Sequence, residues 1–461
     1  MSRKIVGVTV GTPIKPSKVL SGYATEQFVN DAVDQVDRKV ETLRGVVSKF
    51  HSNIVEEAKG ETIRLSDASD MELAGLKLYG KTIQNGTPSP AAPVPLDTVG
   101  ADGTVTVTVC GKNLLKNGYS NDQLFASGTV QYRYLEDGRF TLDGTAAINS
   151  IVPFLPSHMN YNDSNLGQAE TLFVLKKGQT CYMSGIQLIC RKVSDGSFVG
   201  VTTSIYVASA SKQVSYTAPE DLEVVQFRAY IKSGTTYTAD VIWEPTFSFV
   251  PMSAYEPYNG STLSFATPNG LPGIHVSSGG NYTDEIGQQW ICDEVDFEKG
   301  LYIQNVYKER LTKATGLVQY TGIVCTPTYL PYYSYGQTNE QMCSHLEMVT
   351  YSELANKSGC AIYNLNGNGY CSLKCDAFNT LDSGNTWLSN NEVYVVYRLL
   401  NPIVRELTAE DKAAYEALHT NYPNTTVFND AGAHMDVRYV ADTKIYIDNK
   451  FAALSAAILS T

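Results

Sequence analysis

No run of apolar residues in this chain approaches the roughly 18 that a membrane-crossing helix needs, so insertion by a single helix is not expected. Charge is scarce as well. Asp, Glu, Lys and Arg make up 18% of the residues, and their balance is acidic, at −12. A surface of that sign repels phosphates and argues against a role in gripping nucleic acid. Arg3 and Lys4 open the chain, but the strand-like 5–11 segment has neither the long apolar core nor the cleavage site of a secretory signal. The nine cysteines are odd in number and scattered, unlike a small disulfide scaffold. Cys371 and Cys375 are the one close pair, and no second pair at zinc spacing answers them, although Cys343 and His345 lie nearby. Reduced, buried thiols are the plainer reading; no metal and no cofactor is expected.

The signatures of common catalysts are missing too. There is no G-x-S-x-G, no H-E-x-x-H and no phosphate-binding glycine loop. The six histidines sit in unrelated contexts, and no pair of carboxylates stands out for glycoside cleavage. No repeat of the kind that builds a long β-helix is present. No catalytic residue is assigned, and the expectation is a non-enzyme.

What is present points to a mainly β protein. Thirty tyrosines and many Thr-rich alternating stretches lie between Gly, Asn and Asp turns, in a chain of 461 residues that is long enough for several domains. The organising stretch runs from 80 to 115. Pro88, Pro90, Pro93 and Pro95 remove backbone donors and fix φ, which forces an extended collar. Residues 104–109 then alternate Thr and Val three times, a half-buried strand with valines on one face.

Ahead of the collar, residues 1–23 form an extended segment suited to attachment, and residues 24–58 carry the clearest periodicity. Val29, Val33, Val36, Val40, Leu43, Val47, Phe50 and Ile54 follow spacings of four and three without a miss, a heptad seam for a coiled coil. Two of its four d positions are β-branched, which favours a homotrimer over a dimer. Lys39 facing Arg44 and the helix-weakening Gly45 make the coil modest by itself. The alternative is an amphipathic helix lying on its own domain. Residues 59–103 hold short strands and the collar.

Residues 104–258 show strand patterns at 140–142, 172–175, 181–189, 204–207, 222–231 and 240–249, separated by turns such as Asp137-Gly138, Asp143-Gly144 and Ser233-Gly234. That spacing suggests a β-sandwich or jelly roll. Residues 259–304 read as a connector, in which Trp290 and Cys292 point inward and Asp293, Glu294 and Asp296 form a solvated face. Residues 305–407 read as a second β domain with a central strand at 392–397. Its Tyr329, Tyr332, Tyr333 and Tyr335, with Asn366 and Asn368 in a glycine-rich loop, are candidate receptor contacts. Their plainer reading is internal or intersubunit packing. Residues 408–461 begin with a helix capped by Thr408, continue with strands near 426–428 and 435–440, and end in a short helical seam of Ile447, Phe451, Leu454 and Ile458.

Several motifs together resemble a known group. They are G-K-x-x-Q-N-G-T-P-x-P at 80–90, C-G-K-N-L-L at 110–115, S-A-Y-E-P-Y at 253–258, G-G-N-Y-T-D at 279–284 and G-Q-Q-W-I-C-D-E at 287–294. L-H-T-N-Y-P-N-T-T at 418–426 and Y-V-A-D-T-K at 439–444 complete the set. In combination they resemble tail-fibre and baseplate-associated proteins of phages and prophages of Gram-positive gut bacteria, and G-V-T-V-G-T-P at 7–13 is similar to their N-terminal opening. The resemblance implies an elongated virion protein, folded in the host cytoplasm. It implies docking to other tail or baseplate proteins by the N-terminus, tandem β-sandwich-like domains, and contact with a host-surface glycan or protein. Two other roles stay open: a polysaccharide-degrading tail enzyme, and a connector that holds a separate receptor-binding subunit.

Overall fold

The computed structural model describes residues 38, 54–116, 123–154, 166–169, 171–199, 213–317, 322–325, 340–365 and 368–459. Strands dominate, as the composition requires. Val55–Val440 packs as one compact unit, and most of the described part of the other unit is the helix Thr443–Leu459, at whose start Asp442 Oδ1 accepts from the Ile445 N–H. That helix carries Ile447, Phe451, Leu454 and Ile458, with Phe451 exposed. Seven members of the expected coil seam, Val29 to Phe50, lie outside the described residues. The eighth corrects the reading, because Ile54 opens the strand Ile54–Gly60. Burial there alternates residue by residue, and the adjacent β-branched Ile54 and Val55 favour extended backbone.

The central sheet does not respect the linear division into domains. Its seven strands run in the order Ile54–Gly60, His434–Ala441, Gly75–Tyr79, Glu294–Asp296, Leu301–Leu311, Val393–Glu406 and Gln341–Cys343. Segments expected to be collar, connector, second domain and C-terminal region therefore share one set of ladders. A second sheet repeats the pattern, ordering Thr62–Leu65, Thr425–Asn429, Thr104–Cys110 and Gly260–Ala266. The Thr-Val strand sits there with Val105, Val107 and Val109 fully buried, as its alternation requires.

The collar is held against this framework. Gln84 Nε2 donates to the Cys343 carbonyl at 2.8 Å, the Val94 N–H donates to the Ser344 carbonyl at 2.8 Å, and Lys308 Nζ reaches Thr98 Oγ1 at 2.9 Å. Gly80 and Gly273 lie back to back, and a Cβ on either would run into the other segment's carbonyls. Two of the motifs that carry the resemblance meet beside them, where the Gly80 N–H donates to the Asp293 carbonyl at 2.9 Å.

Residues 305–407 contain more than strands. The helix Leu381–Asn390, absent from the strand reading, starts with a capping box in which Thr380 and Ser383 satisfy each other's backbone N–H groups. It packs on a core that includes Cys343, Cys360, Cys371, Ile323 and Val395. Eight of the nine cysteines are described as side chains, all of them free and buried, and Cys360 Sγ lies 3.7 Å from Cys371 Sγ. Burial pushes the Cys110 and Cys181 thiols up to about 12.

A stack of rings closes the other end of the central sheet. Tyr282 lies 4.5 Å from Tyr79 and 4.9 Å from His434, ring centroid to ring centroid, and Trp290 tilts against His434 at 5.7 Å. Beside them Glu61 accepts from Lys81 at 2.7 Å and lies 3.3 Å from Lys176 and 3.9 Å from His434 Nδ1. His434 Nε2 is buried and has no hydrogen-bond partner among the described residues. Burial, then Lys81 and more weakly Lys176, hold its imidazole below the usual histidine range against the pull of Glu61 and Asp284. The unfolded chain therefore takes up this proton first as pH falls. The stability His434 confers is complete above about pH 6.5 and is lost on further acidification. In thermal melts from pH 7.5 to 5, His434→Phe should lose stability less steeply than the wild type; parallel curves would show that this histidine does not drive the acid limb.

Candidate functional site

The 123–249 region builds a cavity in which strand patterns read from the sequence, such as 140–142 and 222–231, take part. Gln123–Phe125, Val130–Tyr134 and Phe140–Thr145 form consecutive antiparallel neighbours, and Thr236–Tyr237 and Ile242–Trp243 pair with the far side of Phe140–Thr145. Leu222–Ile231, the strand expected at those residues, is the centre of the facing sheet, flanked by Ser150–Pro153 and Gln187–Lys192. Asp143-Gly144, expected as a turn, lies inside a strand instead. Gly144 has φ +115°, and a Cβ there would run into the Thr129 carbonyl, so the glycine serves a close strand approach.

Aromatic side chains cross this sheet in a row. Trp243 is the direct cross-strand partner of Phe140, with rings 5.8 Å apart and nearly parallel at 10°. Phe140 stacks on Tyr132 at 5.0 Å, and Phe125 meets Tyr132 edge-on. Tyr132 and Phe140 are fully buried, whereas Trp243 at the end of the row is half-buried. Trp243 and Tyr237 line a cavity of about 410 Å³, a size typical of small-molecule sites.

The rim is fixed by hydrogen bonds. The Lys232 N–H donates to Tyr237 Oη at 2.9 Å, the Ser233 N–H donates to Asn149 Oδ1 at 2.9 Å, and the Ala146 N–H donates to the Thr235 carbonyl at 3.0 Å. Thr145 and Thr236 join their hydroxyls at 2.9 Å. Gln187 contributes a buried amide, whose Oε1 accepts from Arg228 Nε at 2.6 Å. The site therefore offers an aromatic platform, threonine and tyrosine hydroxyls, an amide and one ammonium, on a rigid support. No Asp or Glu is among the described residues lining it, so it supplies no acid–base pair for glycoside hydrolysis.

A smaller cleft of about 250 Å³ lies between the 265–272 loop and the Leu301–Leu311 strand. Asp293 is at its base, and here the sequence reading is corrected: Asp293 and Asp296 are fully buried and not on a solvated face. Asp293 Oδ1 accepts from the N–H groups of Asn305 and Val306, each at 2.8 Å, and Oδ2 accepts from Tyr302 Oη at 2.6 Å. Asp296 pairs with Lys77 at 3.1 Å and Lys299 at 3.2 Å. These carboxylates are occupied in holding strands together. Between them, Glu294 is half-buried and pairs with Lys77 at 2.8 Å.

Of the residues proposed from sequence as receptor contacts, Tyr329, Tyr332, Tyr333, Tyr335 and Asn366 lie outside the described residues. Asn368 opens the strand Asn368–Lys374, opposite Leu365. Trp243 and Tyr237 were not singled out, because neither stands in an aromatic cluster along the chain; only strand pairing brings them to Phe140. Among the described residues no helix is long and apolar enough to cross a membrane, and no cluster of His, Cys, Asp or Glu is placed to hold a metal ion. Comparison with known protein families, characterised proteins and solved structures finds no match to this chain.

Proposed function

We propose that the chain is a non-enzymatic adhesin of the phage tail-fibre or baseplate type, and that the cavity at Trp243 is its contact with a host-surface saccharide. The observation that carries this reading is the half-buried Trp243, backed by the buried Phe140 and surrounded by hydroxyls. A sugar ring presents one apolar C–H face and an equatorial belt of hydroxyls. A flat aromatic beside fixed hydroxyl and amide groups matches both, at little entropic cost.

The heptad spacing from Val29 to Phe50 supports a homotrimer with an N-terminal attachment segment and sandwich-like β domains beyond it, the finer architecture that the motif resemblance implies. Three copies on a stalk multiply a weak single-site affinity through effective concentration. Weak sites then suffice.

The test is to incubate the purified full chain with envelopes of a Gram-positive gut bacterium that it binds, and to follow sedimented protein and reducing ends together. Binding that soluble wall saccharide competes away, with no rise in reducing ends, is expected. A steady release of reducing ends would replace the adhesin with a polysaccharide-degrading enzyme. Lack of competition by saccharide would favour a connector carrying a separate receptor-binding subunit.

A further inference from the structure

We infer that the occupant of the Trp243 cavity is an anionic saccharide, one whose ring carries a carboxylate or a phosphate ester. This rests on the reading of the cavity as a saccharide site. The charge of the lining carries the inference. Lys232 is the single charged side chain among the described residues that line the cavity. Its Nζ has no ion pair or hydrogen bond among the described residues, whereas other cations of the same β region are engaged: Arg139 with Asp137 at 2.6 Å, Arg191 with Glu223 at 2.6 Å and Lys192 with Glu220 at 2.9 Å.

The position of Lys232 is set by the cavity wall itself. Its backbone N–H donates to the hydroxyl of Tyr237, which in turn packs against Trp243 with centroids 6.4 Å apart. The next residue is held at both ends, the Ser233 N–H donating to Asn149 and its hydroxyl donating to the Ala147 carbonyl at 2.9 Å. The backbone of a cationic residue is thus fixed beside an aromatic platform, and no carboxylate is among the described residues that line the cavity. The chain as a whole carries −12, so an anion approaches against the long-range field and is selected by this local cation. Lys232 is exposed at the rim, so its ammonium is free to meet an acidic group on a bound ring, a contact that a neutral sugar does not make. A ring stacked on Trp243 with an acidic substituent turned to the Lys232 rim uses every feature of the lining.

Glucose, glucuronate and glucose 6-phosphate share one ring and differ only at C6, so they separate stacking from charge and carboxylate from phosphate. Saturation-transfer NMR on the full chain, at millimolar sugar, should show one or both charged sugars binding about two- to fivefold tighter than glucose, the advantage shrinking with added salt. Whichever of the two leads identifies the acidic group. In Lys232→Gln that ratio should fall to near one, and in Trp243→Ala the signal from all three sugars should drop together. Equal binding of the three sugars by the wild type, or an undiminished ratio in Lys232→Gln, would overturn the anionic inference while leaving the saccharide site standing. Unchanged signals in Trp243→Ala, or no transfer to any of the three, would overturn the site and the inference with it.

Discussion

Asp293→Ala should lose about 3–5 kcal/mol of folding stability, whereas Asp293→Asn should lose only about 1 kcal/mol. Asp293 stands between the strand Gln289–Cys292, which pairs with Gly273–Val276, and the strand Glu294–Asp296, which belongs to the seven-stranded sheet. Where Leu301–Leu311 crosses Val393–Glu406, the register slips between Gln304 and Val306. The side chain of Asp293 accepts the N–H groups of Asn305 and Val306 at that slip, and Val306 is fully buried. Alanine leaves both N–H groups and the Tyr302 hydroxyl without this acceptor, at about 1–3 kcal/mol for each buried group. Asparagine keeps Oδ1 for the two N–H groups and forfeits only the acceptor of Tyr302.

The same pair of variants carries a pH signature. Burial pushes the Asp293 carboxyl up to about 7, against the hydrogen bonds from Tyr302, Val306 and Asn305 and the charge of Arg405. The folded state then holds this proton more tightly than the unfolded chain, so the wild type loses stability as pH rises from about 4 to about 7. Asp293→Asn should gain on the wild type over that interval. Urea midpoints at pH 5 and pH 7.5 check both points, and equal costs for alanine and asparagine would show that the carboxylate does not bind the two sheets.

The second large effect concerns binding. Trp243→Ala removes the platform, and the loss of one ring face with its stacking comes to about 2 kcal/mol per site. That is roughly thirtyfold in a single-site dissociation constant, and more when three linked sites act together. Stability should fall by less, about 1–2 kcal/mol, because Trp243 is half-buried and Phe140 keeps its stack on Tyr132. Trp243→Phe should retain part of both. Binding of labelled full chain to wall saccharide, measured beside a thermal melt, separates the two effects. A variant that melts lower but binds as before would remove Trp243 from the contact.

Local patterns were legible wherever one strand or one cap decides the outcome. The alternation of Thr104–Cys110, the apolar run Leu222–Ile231 and the cap at Thr408 each follow from residues adjacent in the chain. Pairing was not legible. Nothing near Lys59 in sequence announces Asp436 as its partner, 377 residues away, and His434 opposite Tyr79 is equally remote. Acidic residues misled differently: the donors to Asp293 lie only 12 and 13 residues on, at Asn305 and Val306, but a register slip against Val393–Glu406 that the sequence does not show aims them at it. The heptad spacing ran one step too far, since Ile54 also suits the period of two that its strand adopts. The candidate site shows the limit most clearly, because Phe140 and Trp243 meet only through the ladder, and the eye goes instead to the tyrosines clustered near 332.

Hydroxyl-radical footprinting of the full chain, with and without saccharide released from the walls of the bound bacterium, tests the central claim most directly. Saccharide in the cavity predicts protection at Trp243 and Tyr237, with the buried Phe140 unchanged. Unaltered labelling at Trp243 and Tyr237, with protection instead at Tyr329, Tyr332, Tyr333 and Tyr335, would contradict it and move the contact to the tyrosine run.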